Sequence, residues 1–447
     1  MTATSPITRS IPTALNGSGL SAYERLRFDC LDQLRIRGLD TASPTDVLSM
    51  IRGIVDRYQV EATSSGGLRP LHDPSAMVER LARSLLEYGP LTPFLDGTIE
   101  YEELIVHGEE VSYIDTSGRM VAHDEPVSEH EVEHIVSKLL ATVGASVDEG
   151  HPIVQAQILD GTARLGVVLP PIADRIDVTI RRYLAKRETF DELIEWDAVS
   201  PAAADLLTLS LRTPTGVIVT GQPGSGKTTL VNALLRSADP SLRVIVCEDT
   251  PELSADHLQA ARWRTRQAGP DGHGEVDLRT LVRMSLGMRP DLIAVGEVRG
   301  EEAYELTRAG NAGCGMLSTI HANSARQGLQ ALVSTATMAG PNVSPDQIRS
   351  VFSSIVDLVV HTAKEPTAAT GNGKGGRRQV MEIVAIPAMQ GAELDFTVEP
   401  IFTREDFGAP LVWTGSPLPT EFELRMNRVL RPHGMTVTDV LDGSRSL

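Results

Sequence analysis

Cysteine is scarce: Cys30, Cys247 and Cys314 are scattered over 447 positions. That excludes a disulfide scaffold and a zinc site built on paired cysteines, and it suits a reducing compartment. No run approaches 18 consecutive apolar residues, so no transmembrane helix is read, and the N-terminus has no apolar signal core. Positive charge is in deficit, with 41 Lys+Arg against 59 Asp+Glu for a net charge of −18. An acidic chain repels phosphate backbones, which argues against nucleic acid as the main partner. These absences describe a soluble, cytoplasmic protein. Lysine is the rarest base: Lys138, Lys186, Lys227, Lys364 and Lys374 stand against 36 arginines, so a lysine at a motif position is informative. The apolar fraction of 41% is ample for packed cores.

Residues 1–19, rich in Ser, Thr, Pro and Gly, read as a disordered arm. Residues 20–75 read as a helical extension. One helix opens on the Ser21/Glu24 capping box, a second at Pro44, and a third at Asp73-Pro74, with a Ser/Gly linker over 62–67 before it. Residues 76–190 read as mixed α+β. Strands are expected at Leu104–Val106 and Val111–Ile114, and a helix capped by Ser128 and Glu131. A two-residue hairpin is expected at Asp160-Gly161. From 191 to 447 strands alternate with helices. The apolar runs at 217–220, 244–247, 292–295 and 316–320 suit a parallel or mixed sheet covered on both faces. Residues 365–378 form a Gly-rich loop ahead of a strand at 380–386.

The run Gly221-Gln222-Pro223-Gly224-Ser225-Gly226-Lys227-Thr228, followed by Thr229, matches G-x-x-x-x-G-K-[ST] between an apolar strand and a helix. Glycines let backbone N–H groups wrap an anion, and the helix N-terminus adds a favourable dipole. Lys227 would neutralise the β/γ-phosphates, and the Thr228 hydroxyl would hold Mg²⁺. Other strand ends carry polar groups to the same edge, where ligands sit in open α/β sheets. They are Glu248-Asp249 with Glu252, then Gly296-Glu297, where Gly takes the place of the usual metal-anchoring Asp, and His321. A carboxylate at Glu297 could polarise an attacking water. His130 and His134 are four apart on one helix, but no third metal ligand is evident.

With these motifs in order (the phosphate loop, CEDTPEL at 247–253, MRPDLIAVGEVRG at 288–300 and STIHANSAR at 318–326), the chain resembles the secretion-type ATPases of type II and type IV secretion and pilus systems. GPL at 89–91, DGTARL at 160–165 and DVTIRRY at 177–183 extend the resemblance upstream. It implies a C-terminal RecA-like domain, a mixed α+β (PAS-like) domain before it, and a helical N-terminal extension. It implies hydrolysis of ATP with Mg²⁺ by a homo-hexamer. Glu297 would activate water, Glu248 and Glu252 would organise the metal with Thr228, and His321 would sense the γ-phosphate. Arg164, Arg181 and Arg182 would reach the nucleotide, and Arg266 and Arg299 carry a weaker version of that role. Residues 185–196 would serve as a hinge between domains. The partner would be an inner-membrane platform protein, reached from the cytoplasmic face. The absence of C-x-x-C together with the long helical extension points to the CpaF/TadA branch, the tight-adherence pilus motors. The alternatives are a conjugation-type type IV secretion ATPase and a non-hydrolysing nucleotide switch. The chain departs from the family pattern at His107, Gly287 and Ala331, where Asn, Arg and Arg are usual.

Overall fold

The computed structural model describes residues 21–37, 43–65, 68–116, 118–125, 127–183, 188–255, 259–266, 273–366, 376–389 and 395–446. The arm at 1–19 therefore lies outside the described residues. The chain divides into two compact units at Tyr183/Leu184.

The first unit opens with α1 (Ala22–Arg37), α2 (Pro44–Ser65) and α3 (Pro74–Leu86). Ser21 and Glu24 form the capping box: Glu24 N donates to Ser21 Oγ at 3.2 Å and Ser21 N to Glu24 Oε2 at 2.9 Å. Asp73 caps α3 by accepting from Ala76 N. Leu26, Cys30, Ile51, Val55 and Leu81 share the core of this layer. The linker expected over 62–67 is instead helix through Ser65, and 66–67 lie outside the described residues. The Thr63 and Ser64 hydroxyls donate to the carbonyls of Gln59 and Val60 at 2.9 and 2.7 Å, so residues that favour loops are satisfied inside the helix.

After a short α4 (Thr92–Leu95) come β1 (Glu103–His107), β2 (Glu110–Ile114) and β3 (Met120–Ala122). Helix α5 (Glu129–Ala141) leads to β4 (Ile153–Ile158), β5 (Ala163–Val168) and β6 (Asp177–Arg182). The strands form one antiparallel sheet in the order β3-β2-β1-β6-β5-β4. Val132, Ile135, Val136 and Leu139 recur at helical spacing on α5 and join Leu104, Val106, Leu165, Val178 and Ile180 in one core. Ser128 caps α5, but Glu131 does not complete the capping box. Its side chain is fully buried and accepts from the Tyr23 hydroxyl at 2.6 Å, so a contact 108 residues away replaces the local one. The hairpin between β4 and β5 forms, but its last pair is Ile158↔Ala163, so the turn has four residues rather than two. Leu159 and Asp160 take φ of 52° and 55°, and Thr162 N closes on Leu159 O.

The second unit begins with α6 (Phe190–Glu195) and α7 (Pro201–Ser210), followed by β7 (Gly216–Gly221), α8 (Lys227–Ser237), β8 (Val244–Glu248) and β9 (Ala261–Arg264). Next come α9 (Leu278–Leu286), β10 (Leu292–Val295), α10 (Glu302–Asn311), β11 (Gly315–Ile320), α11 (Ala325–Thr337) and α12 (Pro345–Ile355). The chain ends with β12 (Leu358–Lys364), β13 (Arg378–Ala385), β14 (Glu399–Thr403), β15 (Val412–Trp413), α13 (Thr420–Leu430) and α14 (Val437–Leu441). The nine strands form a mixed sheet in the order β15-β14-β13-β12-β7-β11-β10-β8-β9, parallel from β12 to β9. Both faces are covered because alternate residues enter opposite cores. Val217 and Val219 join Leu206, Leu234 and Met426 on one side, whereas Ile218 joins Val282, Leu306, Leu329 and Phe352 on the other. The fold class is α/β. Strand β12 was not read from the sequence, although it lies directly beside β7. Of the Gly-rich stretch, 367–375 lie outside the described residues; Glu365 N still donates to Arg377 O at 2.8 Å, so the β12–β13 ladder extends into both ends of it.

Of the stretch read as a hinge, 185–187 lie outside the described residues. The rest is fastened to the second unit. Thr189 and Glu192 form a capping box on α6, and Leu193 is buried. Asp197 then turns with φ of 54°, a left-handed conformation that costs a non-glycine residue on the order of 1 kcal/mol or more. Its carbonyl accepts from Gln379 Nε2 at 2.8 Å and Arg404 Nη2 at 2.9 Å, and its carboxylate accepts from both side chains as well. The Arg404 side chain is wholly buried. Arg404→Ala should lower stability by about 2–3 kcal/mol, since charged hydrogen bonds to a carboxylate and to carbonyls are lost together. Asp197 is largely exposed and can rehydrate, which keeps the loss to that range. An unchanged urea midpoint would show that the knot contributes nothing.

Candidate nucleotide site

The C-terminal ends of five parallel strands supply the site. Strand β7 runs into the phosphate loop, and α8 starts at Lys227 after Gly226, whose φ of 98° no side-chain-bearing residue adopts readily. Lys227 is 7% exposed. Its Nζ donates to Gly221 O and Gln222 O, both at 3.1 Å, and to His321 Nδ1 at 3.1 Å. Burial pulls its pKa down, against the carboxylates of Glu297 and Glu252, which hold it up. Nδ1 accepts from the Lys227 ammonium in the tautomer that carries its proton on Nε2, and in the other tautomer it donates to Gly221 O at 3.3 Å. The other ring nitrogen, Nε2, lies 2.5 Å from Glu297 Oε1, an ion-pair contact when the ring is protonated, although off the alignment of a hydrogen bond. Glu297 Oε2 pairs with the Arg299 guanidinium. The elements carrying Lys227, His321 and Glu297 are far apart in the chain, and the three side chains form a continuous row.

On the neighbouring strand β8, Glu248 is 2% exposed, and its Oε1 accepts from Glu252 N at 3.0 Å and Leu253 N at 2.8 Å. This folds the 249–253 loop back so that Glu252 Oε2 accepts from the Thr228 hydroxyl at 3.0 Å. Asn232 on α8 clamps the same loop, donating to Glu252 O and accepting from Ser254 N. A Cβ at Gly296 would sit 3.0 Å from Glu248 Cγ, so an Asp at 296 would require the Glu248 side chain to shift by a few tenths of an ångström. Burial pushes Glu248 up to about 7, opposed by the two backbone N–H groups. The fold therefore favours its protonated form. That contribution is complete below its ordinary value of 4.5 and is lost as pH rises through about 7. The nucleotide-free protein should accordingly melt lower at pH 8 than at pH 5.5, with on the order of 2 kcal/mol at stake across that window. Glu248→Gln should shrink that difference, and a pH profile identical to wild type would remove Glu248 as its source.

The other sequence candidates are distributed as follows. Gln222 Nε2 donates to Asn323 Oδ1 at 2.9 Å and ties the phosphate loop to the segment after His321. Pro223 and Gly224 form the exposed tip of that loop. Ser225 Oγ meets Thr362 Oγ1 at 2.9 Å, Thr362 Oγ1 donates to Thr220 O, and Thr220 Oγ1 meets His361 Nδ1. Sequence reasoning missed Thr362, His361 and Asn232; the apolar run Leu358–Val360 was the available signal for the first two. Arg164, Arg181 and Arg182 lie in the first unit and do not share a face. Arg164 and Arg181 are cross-strand neighbours, whereas Arg182 points to the other side, over the Tyr101 ring at 5.7 Å. Arg266 donates to Gly274 O within its own loop. Gly287 ends α9, and Ala331 packs on the core beside α12. No helix among the described residues is long and apolar enough to cross a membrane.

The family described as Type II/IV secretion system protein matches residues 131–392. A Mycobacterium tuberculosis (strain CDC 1551 / Oshkosh) protein named for conjugal transfer is 30% identical across 71% of this chain and 90% of its own length. Conjugal transfer protein TrbB of Rhizobium radiobacter is 27% identical across 64% of this chain and 83% of its own. Among solved structures, the VirB11 ATPase of the Brucella suis type IV secretion system is 25% identical with a TM-score of 0.34, over 66% of this chain and 94% of that one. The α/β sheet carrying a phosphate loop after β7 is the RecA-like arrangement that the motifs implied. With more than half of its length matched, the chain belongs to the Type II/IV secretion system protein family.

Proposed function

We propose that the protein is an ATP-hydrolysing motor of a conjugation-type secretion system, working as a homo-hexamer against a membrane platform protein. The observation that carries hydrolysis is the row in which the Glu297 carboxylate stands 2.5 Å from His321 Nε2, with His321 Nδ1 against Lys227 of the phosphate loop. A carboxylate placed there can accept a proton from an attacking water once the phosphates draw Lys227 and His321 toward themselves. Lys227 now spends its donors on two carbonyls and His321, and would transfer them to the phosphates on ATP binding. Arg299 on the second oxygen of Glu297 and His321 beside the first keep the carboxylate oriented.

Mg²⁺ fits the donors present: the Thr228 hydroxyl beside the Glu252 carboxylate, with Glu248 behind. Mg²⁺ binds one or two carboxylates plus substrate phosphates rather than an all-protein cage, and it would supply charge neutralisation between the β- and γ-phosphates. Arg164 and Arg181, opposite each other on adjacent strands of the first unit, would supply further positive charge to a nucleotide.

Two relatives named for conjugal transfer support the conjugation-type reading. One observation favours the tight-adherence pilus reading instead: the three-helix layer α1–α3 lies ahead of the region matched by the family. Neighbouring genes separate the two, since pilin and prepilin-peptidase genes favour a pilus and coupling-protein genes favour conjugation. Sizing the purified chain with and without non-hydrolysable ATP, then assaying turnover on the same sample, tests the motor itself. Binding without turnover, even with the membrane partner present, would favour the non-hydrolysing switch.

A further inference from the structure

At the level of the phosphate loop, three neighbouring strands change from apolar to polar on the face that α11 covers. Ile218, Val359 and Val384 belong to the core on that side, and two residues along each strand stand Thr220, His361 and Glu382. Thr220 pairs with His361 in the β7/β12 register, and His361 with Glu382 in the β12/β13 register. Thr220 and His361 are buried. We propose that His361 is a positioning residue for the phosphate site, the centre of a polar tie that sets where the phosphate loop stands relative to the start of α11, the helix that follows His321. The proposal rests on the nucleotide reading above.

Both ends of the tie are hydrogen-bonded to the segments it would align. On the loop side, Thr220 Oγ1 meets His361 Nδ1 at 3.0 Å, and Thr220 O accepts from Thr362 Oγ1 at 3.1 Å. The Thr362 hydroxyl has one proton, already committed, so Ser225 Oγ of the phosphate loop donates to it at 2.9 Å. On the helix side, Glu382 Oε1 accepts from the N–H of Ala325, the first residue of α11, at 2.9 Å. Gly328 brings the helix down on the same row: a Cβ there would stand 2.3 Å from Thr220 Cγ2. Apolar side chains could fill this row, as they do two residues away, without the cost of burying polar groups. They could not fix the loop and the helix at one spacing, because hydrogen bonds are directional and apolar contact is not. Burial draws the His361 pKa down, with Glu382 opposing and Lys227 adding to the effect, and a neutral ring offers one donating and one accepting nitrogen. Lys227 and His321 stand on the two segments joined in this way, so an error in the spacing falls on the contact between them.

The test is steady-state turnover and calorimetric ATP binding by the full-length protein. His361→Leu should lower kcat about tenfold or more while ATP affinity stays within about threefold, since misplaced reacting groups cost rate rather than grip. His361→Asn, whose amide can stand near the place of Nδ1, should recover most of that rate. Thr220→Val has nearly the same shape and cuts the tie from the other side. It should reproduce the loss, which keeps the test open if His361→Leu does not fold. Combining the two should lower kcat no further than either alone, as for residues that act as one unit. A kcat equal to wild type in both single variants would overturn the assignment and leave the nucleotide reading intact. So would a loss carried by ATP affinity alone, no recovery by His361→Asn, or losses that multiply in the double variant. A wild-type protein that neither binds nor hydrolyses ATP would take the nucleotide reading down, and the assignment with it.

Discussion

Replacing Lys227 with alanine is expected to abolish measurable ATP turnover, a loss of at least about 10²–10³-fold. Position 227 offers the one ammonium inside the cradle, and its nearest alternatives, the Gly221 and Gln222 carbonyls, repel phosphate. The same change should cost the nucleotide-free fold little. The lysine is held there against its own desolvation, with its pKa drawn down by burial, so its removal relieves a penalty as well as deleting contacts. The two effects can be read together: turnover by phosphate release, and melting temperature with and without ATP. Wild type should gain stability with ATP as binding to the folded state dictates, and Lys227→Ala should show no such gain at the same concentration. Turnover surviving the substitution would mean that the phosphates are gripped elsewhere.

Glu297→Gln should separate binding from chemistry. Glutamine keeps the size and one acceptor oxygen of the side chain but cannot take a proton from water, so turnover should fall about 10²–10⁴-fold while ATP still binds. Binding by calorimetry alongside a single-turnover assay distinguishes this from a folding defect. A hydrolysis rate equal to wild type would strip Glu297 of its role, and its close contact with His321 would need another explanation. A rate loss accompanied by an equal loss of binding would instead point to Glu297 holding Lys227 in place through His321.

Much of the site was legible because the sheet turns order along the chain into position. Each apolar strand run ends at one edge, so the polar residue that follows it is delivered there, and Lys227, Glu248, Glu297 and His321 could all be found this way. What was not legible depends on pairs without local signature. Thr362 meets Ser225 across 137 residues, and Arg404 meets Asp197 across 207; neither pairing leaves a periodicity in the sequence. The misreadings have the same origin. Ser128 and Glu131 have capping-box spacing, but a buried tyrosine outcompeted the helix terminus for the carboxylate. Thr63 and Ser64 look like linker residues, yet they remain helical by hydrogen-bonding to the preceding turn.

The crowding between Gly296 and Glu248 couples the two positions. A side chain at 296 would bring its Cβ to 3.0 Å from Glu248 Cγ, so the Glu248 side chain would have to give by a few tenths of an ångström to admit it. An acid introduced at 296 would therefore be felt first by the 249–253 loop, whose backbone N–H groups Glu248 holds.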